Sequence, residues 1–446
     1  MSFSIIPLKE LRQDAVLPVS IFDGQNSTLM LLNRGMVLSQ ENLQTLQRRG
    51  VTHVAIDSRF VKDVWATPGS GRTGIRLQQH FLAEQRKKEE LKTKSLTTRL
   101  VKPPQPNYDN TQLSKLAARK SEHERCLEEF LGAMGTSKIV RSDVVKRVAL
   151  ESIEDLLQDL DLFVKTTLEV GDSEQSHQHC LRVAKLAMSV ATIMENREED
   201  VRHIGIGCLL SRVGISDTVK EIIENPRELT PLELLEVKKN PGRTWNALER
   251  ITDLPVGARQ VAWQINERWN GSGYPRGRSL KQIHPLARIA SVADVYIALT
   301  SDRPHRPAYS QHEAIRILLA DAQRGLFEPV AIRGLLQTVS LFPLGSIVEL
   351  SNGSLAITVR NNPQQYDCPL VKVVCDSNGH PLPESYIDLA ETKSIHVVQT
   401  HGEHVLRQRI AQWSEQQQDL DSFFEEADSL FAQPKPAWAH EASLPH

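Results

Sequence analysis

From residue 144 to residue 340, apolar residues recur at the three-and-four spacing of a helix, with little strand-like alternation between them. Val145, Val148, Leu156, Leu160 and Phe163 fall on one such face. The runs "SHQHCLRVAKLAMSVATIM" and "HPLARIASVADVYIALTSD" read as two further amphipathic helices. Helix starts are also marked. In "LTPLELLE", Thr230 can cap, Pro231 suits the first helical position and Glu233 completes a capping box. Apolar stripes of this kind can leave water only by packing on one another, so residues 144–340 are predicted to form a helical bundle.

The flanks have a different period. Residues 1–66 read as a small α/β unit. "LPVSIFD" and "STLMLL" are short apolar runs split by "DGQN", "SQENLQTLQRRG" is a helix between Ser39 and Gly50, and "VTHVAID" alternates like a strand. Residues 67–143 hold a loop, a charge run and the proline-rich "VKPPQPNYDN", and are read as linker and helices, with the charge run a solvated stretch. Residues 341–400 return to β structure. "GSIVELSNGSLAITVR" is a hairpin with Asn-Gly at its turn, and "PLVKVVCDSNGHPL" adds a strand and another Asn-Gly. Residues 401–446 are read as a charged tail, partly disordered, containing "QQQDLDSFFEEADSLFA". The predicted fold class is therefore mainly α, with a small N-terminal α/β unit and a C-terminal β extension.

Composition removes several classes. A formal charge of −2 gives no overall pull toward nucleic acid or an anionic membrane. The five cysteines are scattered without a CxxC pair, so neither a disulfide framework nor a zinc ribbon is expected, and a reducing cytoplasm fits. No run of about 18 apolar residues is present and the start lacks an apolar signal core, so neither a membrane span nor a secretory signal is expected.

The block "ERWNGSGYPRG", followed by "ARIASVADVYIALTSDRPHR", resembles the HD-GYP family of metal-dependent phosphohydrolases. "HCLRVAKLA", "GCLLSRVG" and "ELTPLELLEVKKNPG" stand upstream in the family's order, so the resemblance spans residues 145–345. It implies an HD-GYP-type helical bundle and an activity against cyclic di-GMP. It also implies a binuclear or trinuclear iron or manganese centre whose ions bind phosphate oxygens and acidify a water. Such a centre needs imidazoles and carboxylates from several helices converging on one cavity.

Carried over position by position, the resemblance leaves His179 and Asp294 as relict metal positions. Gln175 stands where some members have glutamate, and Ser211 and Arg212 stand at the His-Asp pair. Ile215 replaces the lysine after that pair, Asn240 the histidine of an "HP" pair, and Ile265 and Asn266 the twin histidines before Glu267. A guanidinium is always charged and cannot bind a cation. The expectation is therefore no catalytic residue, no metal and no cofactor. His179 is either a relict ligand or a hydrogen-bonded histidine facing Asp294. Arg212 either meets a phosphate or forms an internal ion pair with Asp294.

In the family, basic residues matching Arg303 and Arg306 lie near the nucleotide phosphates; the competing reading is surface salt bridges. His305 stands where a tyrosine is frequent. The turn carrying Gly273, Tyr274 and Pro275 is expected to serve as a docking surface, with Tyr274 as an exposed ring at its tip and Arg276 and Arg278 beside it. The leading expectation is a degenerate HD-GYP protein, a non-catalytic regulator in cyclic di-GMP signalling. It would bind a protein partner, a GGDEF-type cyclase or an effector, and/or cyclic di-GMP, without nucleic acid. The alternative is an active phosphodiesterase with an atypical ligand set recruited from His177, His203, Glu267 or His284. A third reading puts the function in residues 1–66 or 341–400. The oligomeric state is left open.

Overall fold

The computed structural model describes residues 3–414, except 13, 25–29, 33–34, 65–94, 104–107, 137–138, 170–174 and 305. The charge run before residue 95 and the segment "QQQDLDSFFEEADSLFA" lie outside the described residues. The chain divides into two compact units, Met1–Thr93 and Lys94–His446.

Among the described residues the first unit holds a four-stranded antiparallel sheet, the helix Gln40–Arg48 and a single helical turn at Val61–Val64. Its strands are β1 (Phe3–Pro7), β2 (Ile21–Asp23), β3 (Met30–Leu32) and β4 (His53–Asp57), in the order β1-β4-β2-β3. Helix α1 (Gln40–Arg48) starts as its sequence directs, with the Ser39 hydroxyl accepting from the Asn42 amide at 3.3 Å. Ile6, Leu17, Ile21, Leu38, Val54 and Ile56 fill the core. The first strand, Phe3–Pro7, is an addition to the sequence reading.

The second unit is predominantly helical. It includes α2 (Asn110–Thr136), which lies in the stretch read as linker and helices and buries Leu127, Phe130 and Met134. A two-residue strand, β5 (Val140–Arg141), leads into α3 (Asp143–Gln158), α4 (Leu160–Leu168), α5 (Ser176–Ile193) and α6 (Glu198–Leu209). Then come α7 (Asp217–Glu224), α8 (Pro231–Lys238), α9 (Asn240–Leu248), β6 (Ile251–Thr252) and α10 (Val256–Gln264). The bundle ends with α11 (Pro285–Leu299), α12 (Gln311–Gln323) and α13 (Pro329–Val339). Strands β5 and β6 pair in parallel.

Helix α5 is the axis of the bundle. Every residue from His179 to Thr192 is buried, because α4, α6, α11 and α13 pack around it. An all-round buried helix must satisfy its polar side chains internally. Arg182 does so: its guanidinium donates to the carbonyls of Thr167 and Leu168 at 3.0 and 3.1 Å and to the Ser301 hydroxyl at 3.0 Å. It thereby ties the end of α4 to the loop after α11.

The C-terminal extension is a five-stranded antiparallel sheet. Its strands β7 (Ile347–Leu350), β8 (Leu355–Arg360), β9 (Leu370–Cys375), β10 (Pro381–Asp388) and β11 (Val397–His401) run in the order β10-β9-β8-β7-β11. Gly353 of the Asn-Gly turn has φ +82°, the left-handed conformation such a hairpin requires. Strand β11 ends at His401, and the start of the stretch read as a charged tail forms a helix, α14 (Glu403–Ser414). Leu406 and Ile410 of that helix join Ile347, Leu355, Ile357 and Cys375 in a small core. No helix among the described residues is long and apolar enough to cross a membrane.

The turn after α6 is pressed against α9. A Cβ on Gly214 would lie 2.1 Å from the Thr244 backbone nitrogen, and the Gly214 amide donates to the Thr244 hydroxyl at 3.2 Å. Backbone cannot yield as a flexible side chain can, so Gly214→Ala must push the turn away from α9. The expected cost is about 2–3 kcal/mol, at the upper end for overpacking, read as a lower urea midpoint with unchanged slope.

Candidate functional site

The candidate site sits where α5, the turn after α6, the N-terminus of α9, the end of α10 and α11 converge. His179 is on the first turns of α5 and is 2 % exposed. Its Nε2 lies 2.9 Å from Asp294 Oδ1, on α11, and 2.7 Å from Arg212 Nη2. Arg212 itself lies 3.7 Å from Asp294. Three side chains from three elements therefore meet at one imidazole nitrogen. A hydrogen on Nε2 serves Asp294 and a bare Nε2 serves Arg212, so one ring nitrogen cannot satisfy both partners at once.

Two further groups feel the same charge. Arg268, directly after Glu267, packs its guanidinium 5.3 Å over Phe327 and donates to the Glu267 carbonyl at 3.1 Å. Burial pulls its pKa down, while Asp294 and Tyr274 oppose that. Burial by itself would raise the Asp294 carboxyl. The hydrogen bond and charge of His179, then Arg212 and Arg268, outweigh burial and hold it well below the usual carboxylate range. Burial also raises the Tyr274 phenol, helped by Asp294 and opposed by Arg268 and Arg212. Tyr274 is thus half-buried and coupled to the site, which corrects the expectation of an exposed ring at the tip of the loop. Arg268 was missed in sequence. Its only signal there is an arginine wedged between an apolar helix end and a glycine-rich turn.

The remaining positions fall around this cluster. Ser211 is buried, and its hydroxyl donates to the Cys208 carbonyl at 2.8 Å. Ile265 is buried at the end of α10, Asn266 and Ile215 are half-buried, and Gln175 is exposed at the N-cap of α5. Asn240 is buried at the start of α9, one helical turn before Thr244, and its Oδ1 has no hydrogen-bond partner among the described residues. Arg306 departs from the phosphate role. Its guanidinium donates to the carbonyls of Ala298, Leu299 and Pro307 at 2.8, 3.3 and 2.9 Å and stacks 4.7 Å from Tyr309, closing the end of α11. Arg303 is half-buried and pairs with Arg306 through a backbone bridge. His305 lies outside the described residues.

The residues named for an alternative ligand set are occupied elsewhere or stand apart. Glu267 is buried, and its two carboxylate oxygens accept from the amides of Arg276 and Arg278 at 2.9 and 3.0 Å. The His284 ring accepts from the Leu286 amide at the start of α11, and His203 faces Glu199 at 3.8 Å. His177 is half-buried beside the N-terminus of α5. Glu267 is therefore the clamp of the glycine-rich loop. Gly273 permits that closure, since a Cβ there would meet the Arg268 nitrogen at 2.3 Å. The Tyr274–Pro275 bond is cis.

Against known proteins, the family model described as "HD domain" matches residues 153–330, and one described as "KOW domain associated with HD domain" matches residues 347–407. A cyclic di-GMP phosphodiesterase of Pseudomonas aeruginosa is 30% identical over 217 residues, 48% of this chain and 52% of that protein. The cyclic di-GMP phosphodiesterase response regulator RpfG of Xanthomonas campestris is 35% identical over 159 residues, 35% of this chain and 41% of that protein. A 3'3'-cGAMP-specific phosphodiesterase of Vibrio cholerae is 29% identical over 153 residues, 34% of this chain and 35% of that protein. The chain thus spans about half or less of the length of these curated relatives. An HD-GYP-type protein of Bdellovibrio bacteriovorus aligns in three dimensions over 75% of this chain and 98% of its own, with 17% identity and a TM-score of 0.40. Residues 153–330 are an HD domain, and their likeness to these phosphodiesterases supports membership of the HD-GYP family.

That membership corrects the expectation of no cofactor. HD-GYP proteins are metal-dependent phosphohydrolases, so a metal is implied for this fold. The donors present at the family's position are His179, Asp294 and the unpartnered Asn240 oxygen, which a hard cation or a water would satisfy. Among the described residues no group of three or more His, Cys, Asp or Glu side chains converges as a metal would require. With the Arg212 guanidinium 2.7 Å from His179 Nε2, this donor set does not fit a binuclear centre.

The clamp is testable. In Glu267→Gln one carboxylate oxygen becomes an NH2 that faces a backbone amide. The variant should lose about 2 kcal/mol, the scale of a hydrogen bond to a charged group. Hydrogen exchange at Arg276 and Arg278 should accelerate. Asp294→Asn should cost about 3 kcal/mol by leaving Arg212 and Arg268 without their shared counter-charge, measured by chemical denaturation at pH 7.

Proposed function

We propose that this chain is a non-hydrolytic member of the HD-GYP family that acts in cyclic di-GMP signalling in the cytoplasm by binding a protein partner, and/or the dinucleotide itself, without cleaving it. The carrying observation is Arg212, whose guanidinium lies 2.7 Å from the His179 ring nitrogen and 3.7 Å from Asp294. A hydrolytic site of this family needs polarised phosphate oxygens and an activated water. A guanidinium can hold a phosphate oxygen, but it cannot acidify a water as a metal ion does. Anion binding without turnover is the chemistry such a group supplies.

Partner binding has support beside the loop. Arg259 lies 5.8 Å over Trp245, Trp245 lies 5.1 Å from Trp263, and Arg278 of the loop lies 4.9 Å over Trp263. These four side chains form a half-exposed ladder, and Arg276 beside it is exposed. Tryptophan and arginine are the residue types that dominate interface energies, and the positive charge favours an acidic partner such as a GGDEF-type cyclase or an effector. The docking surface is then this ladder with the exposed rim of the loop, while Tyr274 lies beneath it.

The second reading, an active phosphodiesterase with an atypical ligand set, is favoured by the relatives' activities and by the unpartnered Asn240 oxygen. One experiment separates the two. The full chain, supplied with manganese or ferrous iron, is titrated with cyclic di-GMP by calorimetry, and the mixture is then resolved for linear products. Saturable heat, or binding of a GGDEF-domain protein, without product formation is expected. Turnover of the dinucleotide would establish the second reading. If binding occurs at the family's cavity, Arg212→Met should weaken it at least tenfold.

A further inference from the structure

The C-terminal sheet is fastened to the bundle at a buried point with an unusual charge count. Arg360, the last residue of β8, places Nη1 2.7 and 2.8 Å from the two oxygens of Asp159, and lies 3.8 Å from Asp161. The side chains of Arg360, Asp159 and Asp161 are 10%, 5% and 16% exposed. Asp159 also caps α4 by accepting from the Leu162 amide at 3.0 Å, and Asp161 accepts from the Asn361 amide at 3.3 Å. The Tyr108 ring lies 4.3 Å beneath the guanidinium, and its hydroxyl donates to the Val359 carbonyl at 2.6 Å.

Two carboxylates therefore share one guanidinium out of water. The other ionisable groups here are Tyr108, Lys165 at 5.0 Å from the same Tyr108 ring, and Glu169 acting on Lys165. Burial raises the Tyr108 phenol, with Asp161 adding to it, so it stays neutral and leaves the charge count unchanged. Burial lowers Lys165, with Glu169 opposing. Two buried negative charges against one are costly, and the cheaper state neutralises one carboxyl. Asp159 receives the bidentate contact and the helix cap. Asp161 receives one amide and a distant guanidinium.

We propose that this joint is a proton-operated latch between the HD bundle and the C-terminal sheet, closed when Asp161 carries a proton and loosened when it is ionised. Burial and the Asp159 charge push the Asp161 carboxyl up to about 7, against Arg360 and the Asn361 amide. In an open joint the same carboxyl would return to its ordinary value of 3.8. The latch is thus fully stabilised below about pH 4 and loses that stabilisation as pH rises through about 7. Within that window, opening becomes about tenfold easier per pH unit, and above it the effect levels off. The joint reaches the candidate site through α4, whose last carbonyls are held by Arg182, three residues beyond His179 on α5.

The test is amide hydrogen exchange of the full chain from pH 5 to pH 8, corrected for intrinsic rates, at Leu162 and Asn361. Protection in the wild type should fall by tenfold or more between pH 5 and pH 7. In Asp161→Asn, which is isosteric with the protonated acid and cannot ionise, protection should stay within about twofold over the same range. Parallel profiles in the two proteins would overturn the proposal. An independent reading, which needs no variant, is the carbon-13 shift of the Asp161 carboxyl. A titration midpoint near 7 supports the latch, and one below 5 overturns it.

Discussion

A single half-buried carboxylate, Asp294, organises the centre of this molecule. It draws one imidazole and two guanidinium groups toward itself from α5, the turn after α6 and the end of α10. In a site built on metal ions, several carboxylates and imidazoles share cations. Here Arg212 lies 3.7 Å from Asp294, and the charge of Arg268 acts on the same carboxylate. Their positions are fixed by helix packing, so the charge balance is built in when the bundle folds. That is why loss of one partner is felt as stability: a charge left behind in an apolar interior has no solvent to turn to.

The loop that gives the family its name is held by a different economy. Glu267 is buried at the end of α10 and receives two backbone amides from the turn that follows. A carboxylate accepting peptide hydrogens imposes shape without depending on which side chains decorate the turn. The conformation of the loop therefore does not depend on the side chains of the neighbouring Ile265 and Asn266.

The contacts at the C-terminal sheet show how a β module can be coupled to a helical one. Arg360 spans from the last position of β8 to the cap of α4, and α4 in turn is held at its other end by Arg182. Helix α4 thus has both ends tied by arginines from neighbouring elements.

How much of this was legible in the sequence depends on range. Periodicity and caps act within a few residues, so the helical bundle, the Thr230 and Ser39 caps, and the Asn352-Gly353 hairpin could all be read directly. Helices were expected among residues 67–143, but the extent and burial of Asn110–Thr136 were not legible, because its apolar face is narrow beside abundant charge. The chemistry of the ligand positions was legible as residue types, which is why His179, Arg212 and Asp294 stood out together. Their mutual distances were not, nor were the inward turn of Tyr274, the use of Arg306 on the end of α11, the coupling of Arg268 or the sharing of Arg360 by two carboxylates. Those depend on which helices meet and at what height. The sequence alone determined the helical character of residues 144–340, the family resemblance and the kinds of group available. Tertiary packing decided which charges face one another, because electrostatic pairing acts across space between residues more than a hundred positions apart, and no local pattern encodes that distance.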